Sequence, residues 1–230
     1  MNVFILIGVL AVTLMMGIPI AFCIGLATMV ALAVQGTSFT EIPRNMFAGL
    51  NSFPLLSMPL FILAGDIMLR GRITKMLLDV SDLAVGRITG GLGHVNILAS
   101  ILFAGITGMA TADTTALGSV LIPAMVEKGY ERDYSTAITI ASSIIGPIIP
   151  PSLTFVIYAL AVGQISIGGL FLAGAVPGLL MGLGLMVVHY FISRQRRYEK
   201  REHAIPFRQA LTILKEGFLA LLMPLIIIGG

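Results

Sequence analysis

Residues 3–34 contain no charged side chain, and this run constrains the possible folds more than any other feature of the chain. Coiled as an α-helix at about 1.5 Å per residue, it would reach roughly 48 Å, well beyond a hydrocarbon core about 30 Å thick. It must tilt steeply or break. Gly17-Ile18-Pro19 is the expected break, because proline lacks a backbone donor and clashes with the preceding turn. One crossing and two crossings both satisfy the run. No Lys or Arg precedes it and no small-residue cleavage site follows, so it reads as a retained helix and not as a signal peptide.

The composition agrees. Of the 230 residues, 57% are hydrophobic and 11% charged, and 26 are glycine, the mixture expected of helices packing backbone to backbone in lipid. The net charge of +3 comes from Lys and Arg gathered in loops, with no basic face carrying interleaved aromatics, which argues against nucleic acid as a partner. Cys23 is the single cysteine and supports neither a disulfide within the chain nor a metal cluster. No G-x-x-x-x-G-K-[ST] loop occurs, so energy must come from an ion gradient or a partner. No nucleophile, His and acid are spaced on facing spans, so the chain does not read as an enzyme.

Along the chain, a polar link at 35–44 leads to an apolar stretch at 46–69, where Asn51 and Ser52 are expected to cap a helix that Pro54 begins. Asp66, one turn before Arg70, is expected to be a solvated carboxylate near a helix end. In 73–88, Ile73, Met76, Leu77, Val80, Leu83 and Ala84 share a helical face opposite Asp79, Asp82 and Arg87, which predicts a helix lying along the membrane surface. Residues 91–127 form two apolar arms of about 15 residues, near 22 Å each, flanking Gly105 to Thr115. Residues 134–163 repeat the arrangement around Gly146-Pro147-Ile148-Ile149-Pro150-Pro151-Ser152, where two successive prolines cannot continue a helix. Residues 166–193 form a clean span, followed by the basic cluster Arg194 to Arg201. His94 and His189 read as isolated histidines at the interface.

Charge orients these segments. Arg70, Arg72, Lys75 and Arg87, together with the Lys and Arg residues of 194–208, belong in the cytoplasm by the positive-inside rule. Three hydrophobic segments separate the two groups, so one of them must return to the side it entered from. A re-entrant helical hairpin at 91–127, its tip at membrane depth, satisfies this; 134–163 then crosses outward and 166–193 returns. The last apolar run, Leu219 to Gly230, is too short for a span. The expected fold is thus an all-α polytopic membrane protein, the first half of an inverted-repeat transporter, with the chain a fragment or a truncated product.

The two interruptions carry the chemistry. Unpaired backbone groups in lipid are costly unless they face protein, water or an ion, and half-helix ends suit a Na⁺ beside a carboxylate substrate. The hairpin tip offers the hydroxyls of Thr107, Thr111, Thr114 and Thr115 and the carboxylate of Asp113; the proline break offers Ser142, Ser143, Ser152 and Thr154. These are hard oxygen donors, suited to Na⁺ and poor for zinc or copper. Each hydroxyl can also serve close helix packing alone, and Asp113 can also act as the N-cap of the second hairpin arm.

Four stretches carry a family resemblance: Pro59-Leu60-Phe61-Ile62-Leu63-Ala64-Gly65; Ala110-Thr111-Ala112-Asp113-Thr114-Thr115 on to Met125; Gly129-Tyr130; and Ile149-Pro150-Pro151-Ser152. Together they resemble the large membrane subunit of tripartite ATP-independent periplasmic (TRAP) transporters, in its N-terminal half. The resemblance implies an elevator-type, Na⁺-coupled importer of organic acids such as C4-dicarboxylates or sialic acid in the bacterial inner membrane. It implies two partners, a periplasmic substrate-binding protein and a small four-helix membrane subunit, and no cofactor beyond Na⁺ as coupling ion. It divides the chain into scaffold-type helices at 1–70, an arm at 71–90, half a transport domain at 91–165, a span with its basic loop at 166–208, and the start of a second half at 209–230. It places the cation against Thr107, Gly108, Met109, Thr111, Asp113, Ser143, Gly146 and Pro147, and the substrate near Thr114, Pro150 and Ser152. One departure stands out: the family commonly shows Ser-Gly-Ser-Ala at the tip, where this chain has Thr107-Gly108-Met109-Ala110. Two other readings stay open: a standalone dicarboxylate symporter of the related ion-transporter superfamily, and a non-transporting assembly subunit.

Overall fold

Glycines in left-handed backbone and prolines without a donor divide this chain into helices. The computed structural model describes residues 3–51, 59–60, 62–63, 65–67, 72–163, 165–200 and 205–229. Ser52, Pro54, Phe61, Ala64, Arg70 and Arg201 lie outside the described residues. All regular structure among those residues is helical, and the chain divides into two units, Met1–Leu56 and Ser57–Gly230.

In the first unit, α1 (Val3–Met15) and α2 (Ile20–Val34) are separated at the expected place. Gly17 adopts φ +75°, and Pro19 stands just ahead of α2, so the long uncharged run becomes two short helices instead of one long rod. They pack against one another. Cys23, Ala27 and Ala31, one turn apart, form a buried small-residue seam of the kind that lets helix backbones approach. α3 (Glu41–Leu50) begins inside the stretch read as a polar link; Glu41 in its first turn complements the helix dipole and pairs with Arg44 at 3.5 Å.

The second unit contains the helical residues described between Pro59 and Ile67, then α4 (Ile73–Val85), α5 (Gly91–Thr107), α6 (Ala110–Glu127), α7 (Arg132–Ser143), α8 (Leu153–Val162), α9 (Ile167–Arg196) and α10 (Phe207–Gly229). Two apolar cores organise it. Leu77 of α4, Val95, Ala99, Phe103 and Ile106 of α5, and Leu117 and Leu121 of α6 make the first. Ile97, Met125, Tyr130, Ile138 and Tyr198 make the second, where α5, α6 and α7 meet the end of α9. α5 therefore serves both cores, and a helix used on two faces has little exposed surface.

Three sequence expectations change here. The buried residues of α4 are Leu77, Val80 and Ser81, with Ala84 exposed; serine can occupy that face because its hydroxyl donates to the Leu77 carbonyl at 2.7 Å. His94 and His189 are not isolated: both are buried, with ring centroids 4.7 Å apart. The final apolar run is not a separate segment but the end of a helix that starts at Phe207.

α9 is the one described helix both long and apolar enough to cross a bilayer. Ser166 caps it, accepting from the Gly169 N–H at 3.2 Å. Its buried residues Gly174, Gly178 and Gly182 recur at four-residue intervals, and a Cβ at any of them would lie within 2.4 Å of Phe155, Ile149 or Ile101 respectively. Leu172, Val176, Leu179, Leu183 and Val187 stay exposed. A small-residue ridge on one side and apolar side chains on the other is the pattern of a lipid-facing helix clamped to protein.

Candidate functional site

α5 and α6 fold back on one another across a very short break, Asn96 of α5 standing 3.7 Å from the Met125 sulfur of α6. The hairpin break occupies only Gly108 and Met109: α5 runs to Thr107 and α6 resumes at Ala110. Gly108 lies in left-handed backbone at φ +59°, and Met109 is extended. The tip read as Gly105 to Thr115 is thus much narrower, and Thr111, Asp113, Thr114 and Thr115 belong to the first two turns of α6. The last carbonyls of α5 and the first N–H groups of α6 meet at this break without the helical partners they would have in a continuous rod.

The second break is wider. α7 ends at Ser143 and α8 starts at Leu153, with Ile144 to Ser152 in turns and a cis peptide between Pro150 and Pro151. Ser152 closes the segment, donating its hydroxyl to the Pro147 carbonyl at 2.5 Å and accepting from the Phe155 N–H at 3.2 Å as the N-cap of α8.

The two breaks meet. A Cβ on Gly108 would stand 2.3 Å from the Pro151 carbonyl oxygen and 3.2 Å from the Ser152 Cα, and one on Gly146 would stand 2.7 Å from the Asp113 Oδ2. Only residues lacking a Cβ permit that approach. Asp113 is fully buried between them. Its Oδ1 accepts the Thr107 hydroxyl across the break, and the Met109 N–H reaches the same hydroxyl at 3.4 Å. Its Oδ2 has no hydrogen-bond partner. Asp113 is not the N-cap of α6: Met109 occupies that position, and the Asp113 N–H donates to the Met109 carbonyl at 3.2 Å. The carboxylate lies in the first helical turn, where the dipole favours negative charge, but a dipole alone does not compensate a buried anion.

Of the site residues expected from the sequence, Thr107, Gly108, Met109 and Asp113 come together with Gly146 and Ser152. Pro147 contributes the carbonyl that holds Ser152, and Pro150 is buried in the same turn. Ser143 is buried, with its hydroxyl donating to the Thr139 carbonyl at 2.8 Å. Thr114 donates to the Ala110 carbonyl at 2.8 Å, and Thr111 is exposed. A hydroxyl that donates its proton to a helical carbonyl keeps its lone pairs, so Ser143 and Thr114 are acceptors in their present geometry. Beside the tip lies a cavity of about 480 Å³ whose walls include Pro59, Ile62, Leu63, Met109 and Ala112, with Asp66 and Thr107 as its polar members.

Two buried contacts between α5 and α7 escaped the sequence reading: Asn96 Nδ2 donates to Thr139 Oγ1 at 2.6 Å, and Ser100 Oγ donates to Ser142 Oγ at 2.8 Å. The legible signal was polar residues one turn apart on both helices, Asn96 with Ser100 and Ser135 with Thr139.

Sequence comparison decides the family. The profile described as "Tripartite ATP-independent periplasmic transporter, DctM component" matches residues 7–230. The chain belongs to the DctM family of TRAP transporter large permeases. This DctM-family chain is 44% identical over 217 residues to the sialic acid TRAP transporter large permease protein SiaM of Vibrio cholerae, covering 93% of this chain and 50% of that protein. It is 38% identical over 230 residues to the sialic acid TRAP transporter permease protein SiaT of Haemophilus influenzae, covering 100% and 37%. It is 32% identical over 244 residues to the C4-dicarboxylate TRAP transporter large permease protein DctM of Rhodobacter capsulatus, covering 100% and 55%. The DctM-family chain thus spans about half the length of the curated large permeases it matches. It comes from a family of membrane transporters, not of enzymes. Met109, its departure from the usual tip, keeps its N–H and carbonyl in the break while its side chain lines the cavity.

Proposed function

We propose that this chain supplies a coupling-ion site of a Na⁺-driven importer of organic acids in the bacterial inner membrane. The observation that carries the reading is Asp113, a fully buried carboxylate at the meeting point of two helix breaks, with one oxygen unpartnered. A carboxylate so placed is too costly to keep ionised without a counter-charge. The groups around it are hard oxygens: the Thr107 hydroxyl on Oδ1, and the Ser143 carbonyl, which faces Gly146 together with Asp113 Oδ2. Such a set suits Na⁺ better than a soft metal. In this reading Thr107, Gly108, Met109, Asp113, Ser143, Gly146 and Pro147 surround the ion, while Thr111, exposed on α6, stands outside it. Thr114, Pro150 and Ser152 face the substrate, whose carboxylate is attracted by the ion and by the N-terminus of α8.

The arms α5 and α6, 17 and 18 residues long, enter and leave the membrane from the cytoplasmic side as a re-entrant hairpin. α4 links the moving transport part to its scaffold in an elevator cycle. The names of the relatives, sialic acid and C4-dicarboxylate, favour a small carboxylate substrate. TRAP large permeases as a family work with a periplasmic binding protein and a small membrane subunit, and both are proposed here.

The test uses the full-length protein with its small subunit and binding protein in proteoliposomes, with sialic acid and succinate as probes. An inward Na⁺ gradient should drive uptake of one of them, and Asp113→Asn should reduce that uptake at least ten-fold while folding is retained. Uptake equal in Na⁺ and K⁺ gradients sinks the reading.

A further inference from the structure

The site described above needs two helix ends held opposite one another, and the side chains between α5 and α7 are arranged to do that. Asn96, Ser100, Thr139 and Ser142 are all fully buried. Asn96 Nδ2 donates to Thr139 Oγ1 at 2.6 Å, and four residues along α5 Ser100 Oγ donates to Ser142 Oγ at 2.8 Å. The α7 partners are themselves tied to their own helix: the Thr139 hydroxyl donates to the Ser135 carbonyl at 2.8 Å, and the Ser142 hydroxyl to the Thr139 carbonyl at 3.1 Å. Two rungs, one turn apart, therefore join the helices.

Both helices end at the site. From Ser100, α5 continues seven residues, about 10.5 Å, to Thr107, which binds Asp113. From Ser142 the chain reaches Gly146, whose missing Cβ makes room for Asp113 Oδ2, in four residues. Apolar ridges tolerate small slides between neighbouring registers, because dispersion contacts have no fixed partners. Short side chains meeting at 2.6 and 2.8 Å tolerate almost none. The arrangement is also poor as a stabiliser: Asn96 Oδ1 is buried without a partner, an unsatisfied atom that an apolar pair would not leave behind.

We propose that Asn96, Ser100, Thr139 and Ser142 are positioning residues that fix the register of α5 against α7 and so hold Asp113 opposite Gly146 in the coupling-ion site. The proposal rests on the ion-site reading above. Buried polar pairs that set register are an attested use of such groups.

The experiment measures the Na⁺ concentration giving half-maximal uptake, with the same full complex and probes, for Ser100→Ala, Ser142→Ala, their double variant, Thr139→Val and Thr139→Ser, alongside thermal unfolding. The ladder predicts a three- to ten-fold rise in half-saturating Na⁺ for each of the two Ser→Ala variants. The double variant should be no worse than Ser142→Ala, because the one rung between the helices that these serines make is already lost in each single variant. Thr139→Val should show the same rise, and Thr139→Ser, which keeps the hydroxyl, should restore the parent value. Unchanged Na⁺ dependence with lowered thermal stability overturns the proposal and leaves these residues as packing alone. Asp113→Asn separates the two readings: if it abolishes Na⁺ dependence while the ladder variants do not shift it, only the ladder fails. If Asp113→Asn leaves Na⁺ dependence intact, the ion site fails and the ladder's role falls with it. Should Thr139→Val not fold, Ser100→Ala, which removes a single oxygen, carries the same comparison.

Discussion

At the residue scale, two glycines do what no other residue type can do at their positions. Gly108 combines φ +59° with a missing Cβ that would otherwise lie 2.3 Å from a backbone oxygen, which cannot swing away as a side-chain tip could. Gly108→Ala should lower stability by about 2–4 kcal/mol, read as a fall in the unfolding temperature in detergent. Gly146→Ala pushes on a side chain instead, the Asp113 carboxylate at 2.7 Å. It should lose only about 1–2 kcal/mol of stability, with a larger effect on Na⁺ dependence than on the unfolding temperature. Asp79 on α4 makes a separate case. Partial burial raises its carboxyl above the ordinary value of 3.8; Lys75 opposes the shift, and Asp82 and Glu216 add to it. A raised native pKa means the folded state holds the proton more tightly, so this group's favourable contribution is complete below the unfolded value and is lost as pH rises through the folded one. Asp79→Asn should therefore be more stable than the parent at pH 7, by about half a kcal/mol or less for so exposed a group. The difference should vanish near pH 3, as pH-dependent thermal melts would show.

At the element scale, α9 acts as the backing plate of the proline break. Its three buried glycines differ in what they press against. A Cβ at Gly174 would meet the Ile148 carbonyl at 2.4 Å as well as the Phe155 ring at 2.3 Å, one at Gly178 would meet Ile149 Cγ1 at 2.4 Å, and one at Gly182 would meet the Ile101 side-chain tip at 2.4 Å. Backbone yields least and a flexible tip yields most. Alanine substitution should thus lower the unfolding temperature in the order Gly174, then Gly178, then Gly182, spanning roughly 3 to 1 kcal/mol. An equal loss at all three would show that α9 is not seated on the break. The far end of α9 is held differently. Arg196 pairs with Glu131 at 2.6 Å and lies 5.1 Å from the Tyr134 ring centroid, and Tyr130 stacks on Tyr198 at 3.9 Å.

At the scale of the whole molecule, the hairpin topology has a direct consequence. If 91–127 enters and leaves on one side, then Arg72, Lys128 and Arg197 all face the cytoplasm. Single cysteines at these positions, with Cys23 replaced by alanine, should all label from the cytoplasmic side in inverted vesicles and none from the periplasmic side in intact cells. Labelling of Lys128→Cys from the periplasm would convert the hairpin into a crossing and remove the geometry on which the ion site depends.

Much of this was legible in the chain itself. Long uncharged runs, glycine content and charge confined to loops determine an all-helical membrane protein, because lipid offers no partner to an open backbone. Gly17 with Pro19, Gly108, and Gly146 with Pro150-Pro151 mark the breaks by local means, a left-handed glycine or a pair of prolines; a lone proline is not enough, since Pro123 and Pro177 stand inside α6 and α9. What spacing could not supply was how those breaks stand to one another. Asp113 opposite Gly146, Asn96 on Thr139, Ser100 on Ser142 and His94 against His189 join residues 33, 43, 42 and 95 positions apart, and periodicity ends within a single helix. The sequence determined where hydrogen bonding along the chain must stop; only the packing of α5 against α7 and α9 decided which of those stops share one buried carboxylate.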